Sequence, residues 1–281
     1  MVLRESCLPA GWYPRKREEI EEFLEPFKNA KDALSQAVAA IAPHAGWYYS
    51  GHLAALAVSS LGSGAETVVV IGGHLPRGAP VLAAREDGVK TPFGNMMIDR
   101  EFLEAFEKRI PTTPDNYQDN TVEVLLPMAH YFFPESKLLW LRFPAELSSY
   151  EAGKILADTA VRLDKRIVVL SSTDLTHYGR NYGFSPRGMG KPALEWVKKS
   201  NDAAFINAIL AGDASFTLKR AEADSSACSA GAVLGALGFA SLKGKKAKLL
   251  EYSTSAEVTG DAIDDDDIPD SFVGYAAISF N

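Results

Sequence analysis

The chain has 281 residues, 47% hydrophobic and 23% charged, an ordinary globular usage with enough length to bury a core without a disulfide or structural metal. Its net charge of −7 has the wrong sign for a general nucleic-acid or anionic-membrane binder, which would carry a basic patch. Two cysteines, Cys7 and Cys228, give no disulfide framework, no apolar run nears the ~18 residues of a membrane span, and MVLRESCLPAGWY lacks a signal-peptide core, so a reducing, cytoplasmic setting is expected.

In chain order, Ile20, Phe23, Leu24 and Phe27 recur at helical spacing behind Pro14 and predict a first helix in an acidic stretch. A strand at 37–43 (AVAAIAP) is closed by His44 and Ala45-Gly46, and a helix follows over 52–61. The next strand, 66–71 (ETVVVI), runs into Gly72-Gly73-His74. Strands at 81–84 and 138–142 precede a helix over 150–163, entered from Ser148-Ser149. A strand at 166–170 (RIVVL) leads through Ser171-Ser172-Thr173 to Asp174 and His177. Helices over 193–210 and 227–242 and strands over 247–252 and 272–280 complete the set. Short continuous apolar runs mark strands buried on both faces. Their alternation with helices predicts an α/β fold: one three-layer α/β/α domain over residues 1–281 with a largely parallel or mixed sheet. The C-terminal strand is expected as an antiparallel edge. Lys243, Lys245, Lys246 and Lys248 read as a solvated turn, and the acidic run 264–267 as a solvated loop, since it lacks the central glycine and final glutamate of a calcium loop.

Open α/β sheets bind ligands beyond the carboxyl ends of their strands. Three of the five histidines, His44, His74 and His177, fall there, at the ends of the three clearest strands. Gly72-Gly73 would let the backbone turn sharply and approach a ligand. Asp174 and His177, three residues apart, would share a face on a helical turn, where the carboxylate fixes the imidazole's tautomer or raises its basicity. Cys228, behind the plausible caps Asp224, Ser225 and Ser226, would open a helix whose N-terminus lowers its pKa; the competing reading is a small buried hydrophobe. Glu123 is either the carboxylate of a two-histidine facial triad or a surface or capping residue. His52 and His130 read as packing or surface residues. No nucleophile elbow, phosphate loop or dinucleotide fingerprint is present.

The segments Gly11-Trp12-Tyr13, IAPHAGWYYSG, TPFGNMMID, NTVEVLLP, SSTDLTHYG and FVGYAAISF follow one another nearly end to end as in the Memo family. That family includes protein B of the AmmeMemoRadiSam system and is similar in fold to the LigB-type class III extradiol dioxygenases. The resemblance implies a metal pocket with His44, His74 and Cys228 at the ligand positions and Asp174 and His177 as a second pair, His177 serving as base. It further implies an oxidoreductase holding a divalent metal, Fe(II) first and copper or zinc as rivals, with an unknown small-molecule substrate. A non-catalytic accessory module partnering AMMECR-type and radical SAM proteins is the alternative. The chain departs from the family at Gly72-Gly73-His74-Leu75, one residue shorter than usual, at Asn120 and Leu125, where histidines are usual, and at Ser229 in place of glycine.

Overall fold

The computed structural model describes residues 1–34, 36–258 and 268–281, with side chains outside 29–35; the acidic run 264–267 lies outside the described residues. The strands are β1 (Leu3–Arg4), β2 (Ala39–Ala42), β3 (Thr67–Leu75), β4 (Val81–Ala83), β5 (Gly88–Thr91), β6 (Gly94–Met97), β7 (Thr112–Pro114), β8 (Lys137–Pro144), β9 (Ile167–Ser172), β10 (His177–Gly179), β11 (Ala247–Thr254) and β12 (Ser271–Phe280). The helices are α1 (Arg17–Leu34), α2 (Trp47–Ser59), α3 (Arg100–Glu107), α4 (Asn120–Glu123), α5 (Leu126–Phe132), α6 (Ser148–Arg162), α7 (Lys191–Trp196), α8 (Asp202–Leu210), α9 (Ala214–Asp224) and α10 (Ala230–Leu242).

The apolar runs form the centre of a mixed nine-stranded sheet, in which β2, β9, β3 and β8 lie side by side and parallel. Val68, Val69, Val70 and Ile71 are fully buried, which β-branched residues tolerate on a sheet covered on both faces. On one side β12 pairs antiparallel with β2, and on the other β4 pairs antiparallel with β8. β12 is not an edge: β11 also runs antiparallel along it, and its buried run needs both neighbours. One helical layer is α10, lying across β2, β3, β8 and β9 with α6 and α9 against it; the other is α2, on β2, β11 and β12, with α1 and α5. A small sheet of β1, β5 and β6 stands apart.

Four local expectations are corrected. β3 continues through Gly72-Gly73-His74 instead of turning out. Those glycines admit neighbouring segments, not a ligand: a Cβ at Gly72 would stand 2.2 Å from Thr121 Oγ1, and one at Gly73 would stand 2.3 Å from Ser229 Cβ. The helix expected over 193–210 is broken by a π turn at Val197–Asn201. Cys228 does not open a helix: Ser225, at φ +48°, ends α9, and α10 starts only after Ser229, which holds its N-cap position without a side-chain hydrogen bond. Asp174 and His177 share no helical turn, because 173–176 is irregular backbone and His177 begins β10. The lysine-bearing turn after α10 is exposed, as expected.

Candidate metal centre

Three adjacent parallel strands deliver the site. β2 ends just before His44, β9 runs into Thr173 and Asp174, and His74 lies near the end of β3. Cys228 arrives from the segment between α9 and α10, held by its own N–H donating to the Asp174 carbonyl at 3.2 Å. The ligating atoms of His44, His74 and Cys228 all lie within 4.8 Å of one another. His44 Nε2 is 3.1 Å from Cys228 Sγ, and the two imidazole rings meet edge to face at 4.9 Å.

The hydrogen bonds around the histidines fix which nitrogens face inward. The Ser172 hydroxyl donates its proton to the Thr121 carbonyl, so at 3.0 Å it accepts from His44 Nδ1–H and leaves Nε2 toward the thiol. His74 Nδ1 donates to Asp119 Oδ2 at 3.0 Å, and its Nε2 remains for a ligand role. Asp119 also accepts from Thr121 N at 2.9 Å and from Thr121 Oγ1, and pairs with Arg142 Nη2 at 3.1 Å. This carboxylate–histidine arrangement orients a metal-binding imidazole. Asn120 Nδ2 donates to the His44 carbonyl at 2.8 Å, and the His44 N–H donates to Asp174 Oδ1 at 2.8 Å. His74 holds φ +56°, a conformation that costs an L-residue about 1–2 kcal/mol and that clusters at functional sites.

The charges follow from these contacts. Burial disfavours the Cys228 thiolate, but the His44 and His74 imidazoles outweigh it and hold its pKa well below the usual thiol value. Burial likewise opposes the His74 imidazolium, yet Asp119 and Cys228 raise it to about 10; His44, fully buried, is also raised. Asp119 is pulled down to about 2 against its burial, chiefly by His74, Thr121 and Arg142. The mutual stabilisation of a thiolate and protonated imidazoles is a charge pattern that a cation would compete with, releasing protons as it binds.

The donor set fits a metal. Tetrahedral coordination by imidazole and thiolate sets nitrogen–sulfur separations of about 3.5 Å, between the 3.1 Å contact and the 4.8 Å limit found here. A cavity of about 730 Å³ opens over the histidines, with Trp12, Tyr48, Tyr49, Tyr182 and Tyr275 among its walls. Asp174 and His177 line it too. The Leu175 carbonyl, 3.1 Å away, can only accept, so His177 Nδ1 carries a proton and, in the neutral imidazole, Nε2 is the acceptor. Asp174 makes none of the hydrogen bonds found on His177. Burial raises its pKa, opposed by His44 and His177.

Glu123 lies outside the three-donor group. Its buried carboxylate accepts from Ser6 Oγ at 2.5 Å, Cys7 N and Sγ at 2.8 Å each, and Leu8 N and Tyr13 OH at 3.1 Å each. It fastens the N-terminal segment whose Gly11 and Trp12 line the cavity. The facial-triad expectation is thereby replaced by an anchoring role. Leu125 is fully buried, His130 is buried against Thr91 at 2.6 Å, and His52 is exposed beside Glu251 at 3.5 Å. Sequence reasoning missed Asp119 and Thr121; the only local signal was an aspartate in an N-cap position before Asn120-Thr121-Val122-Glu123.

Fold and site together define an α/β protein with a His/His/Cys centre beyond the carboxyl ends of its parallel strands. The sequence matches the family described as "Memo-like protein" over residues 4–279. A MEMO1 family protein of Methanosarcina mazei is 31% identical, covering 99% of both chains, and one of Archaeoglobus fulgidus is 31% identical with the same coverage. The chain belongs to the Memo family. The crystal structure of an uncharacterised Escherichia coli K12 protein matches 85% of this chain and 99% of its own at 14% identity and a TM-score of 0.46. No helix among the described residues is long and apolar enough to cross a membrane.

Proposed function

We propose that the chain is a metal-dependent oxidoreductase acting on a small phenolic or enediol substrate. One observation carries this reading: the ligand atoms of His44, His74 and Cys228 converge beside a cavity that both of these histidines and His177 line. His44, His74 and Cys228 would hold the metal, Fe(II) first, with copper and zinc as rivals because a thiolate suits softer ions. When bound, the metal supplies Lewis-acid and redox chemistry there. His177 Nε2 takes a proton from a substrate hydroxyl, a role worth roughly 10² to 10⁴ in rate. The Asp174 carboxylate balances the imidazolium so formed. The aromatic walls select a flat substrate and limit water.

The test is metal analysis by mass spectrometry on untagged protein purified without added metal. Near-stoichiometric iron or copper is expected, lost in His44→Ala and Cys228→Ser while circular dichroism stays native. Unchanged metal content in His44→Ala would sink the reading. A second reading follows from Asn120 on the cavity wall and apolar, buried Leu125. Neither residue transfers protons, which leaves the cavity with fewer acid–base groups than the family's usual histidines would supply, as suits an accessory module serving AMMECR-type and radical SAM partners. Native metal content, no oxygen uptake with any catechol, and capture of those partners would favour it.

A further inference from the structure

One fully buried carboxylate has no part in that chemistry. Asp202 opens α8 directly after the π turn, and no part of it reaches solvent. Its Oδ1 accepts from Thr176 N at 3.1 Å and also from Thr176 Oγ1; its Oδ2 accepts from Tyr252 OH at 2.8 Å. Asn201 reinforces the same point, donating from Nδ2 to Thr176 Oγ1 at 2.8 Å and to the Asp224 carbonyl at 2.9 Å. Successive α-helical side chains diverge by about 100°, and the wider π turn lets two consecutive residues reach one threonine. The approach also requires glycine opposite, since a Cβ at Gly274 would stand 2.0 Å from Asp202 Oδ2.

The Thr176 N–H and the Leu175 carbonyl belong to one peptide unit, which is trans, so they point in opposite directions. That carbonyl is the acceptor of His177 Nδ1–H at 3.1 Å. Carboxylate, peptide and imidazole therefore stand in series. A negative charge on the N–H end polarises the peptide and makes its carbonyl the stronger acceptor.

We propose that Asp202 is a positioning residue for His177, acting through the Leu175–Thr176 peptide to hold the imidazole as its Nδ1–H tautomer with Nε2 toward the cavity. The inference rests on the reading of His177 as the cavity's base. The rest of the loop leaves the peptide no other setting: Leu175 N donates to the Gly274 carbonyl at 2.8 Å, and Gly274 N donates to the Thr176 carbonyl at 3.0 Å. Burial raises the Asp202 pKa to about 6, opposed by the Thr176 and Tyr252 hydrogen bonds. A charge so costly to bury is the kind that a site, not a core, retains.

The experiment is nuclear magnetic resonance on the full chain labelled with ¹⁵N, comparing native protein with Asp202→Asn at pH 8. The variant keeps an oxygen acceptor for Thr176 and loses the charge, while its amide replaces the oxygen that accepts from Tyr252 OH. The Thr176 amide proton and the His177 Nδ1 proton are expected to move upfield together. A Thr176 shift with His177 unmoved would overturn the proposal, as would a native His177 protonated on Nε2 when neutral. Where Asp202→Ala also folds, it is expected to lose the Nδ1–H signature; retention of that signature refutes the idea. None of these readouts needs turnover, and metal content measured on the same samples reports separately on the oxidoreductase reading.

Discussion

Replacing Asp202 by asparagine should make the protein more stable at neutral pH. The carboxyl pKa rises from 3.8 to about 6, led by burial, while Thr176, Tyr252 and His177 favour the charged form. Of the groups facing it, Tyr252 stays protonated, because burial and Asp202 push its phenol up. A folded-state pKa above the unfolded one means that the native protein holds the proton more tightly. That contribution is complete below about pH 3.8 and is lost as pH rises through about 6. Roughly two pKa units correspond to about 3 kcal/mol, and about half of that is lost between pH 5 and pH 8. Asparagine keeps the oxygen that Thr176 needs, and the Tyr252 hydroxyl can turn to accept from the new amide. Urea unfolding of both proteins at pH 5 and pH 8 measures the difference. The variant's relative stability is expected to grow by about 1–1.5 kcal/mol between those pH values. A difference that stays constant with pH, or shrinks, refutes the assignment of a raised buried carboxyl.

Asp119→Asn removes the charged acceptor of His74 Nδ1–H, and metal affinity measured by chelator competition should fall by about 10- to 100-fold; unchanged affinity would deny Asp119 its orienting role. Gly73→Ala drives a Cβ to 2.3 Å from Ser229 Cβ and should cost about 2–3 kcal/mol in denaturant unfolding. Adding Ser229→Gly should recover part of that loss, and no recovery would place the clash elsewhere. Glu123→Ala strips the acceptor from Ser6, Cys7, Leu8 and Tyr13 and should cost about 3 kcal/mol. Limited proteolysis should then cut within the first 13 residues before the rest of the chain; simultaneous loss of the whole fold would mean that Glu123 supports the core directly.

The sequence alone was enough for the α/β class and for placing two of the three candidate donors near strand ends. Apolar β-branched runs are local signals and ligands gather beyond the carboxyl ends of parallel strands, so His44 and His74 could be placed near those ends from short windows, although β3 itself runs on through His74. The alternation of elements likewise predicted the layers, and the family's motifs run the whole length. What only the tertiary structure decided is every partnership made across the chain. Cys228 meets His44 across 184 residues, and its acidity comes from two imidazoles, not from the helix it was expected to open. Glu123 read either as a third ligand or as a surface or capping residue because spacing carries no direction; packing turned it to the N-terminal segment. Asp174 and His177 looked helical by their spacing, but the backbone between them is committed elsewhere, its N–H groups to Gly274 and Asp202. Buried polar groups must each find a partner, and which one they find depends on the surfaces that folding brings together, not on the order of residues along the strand.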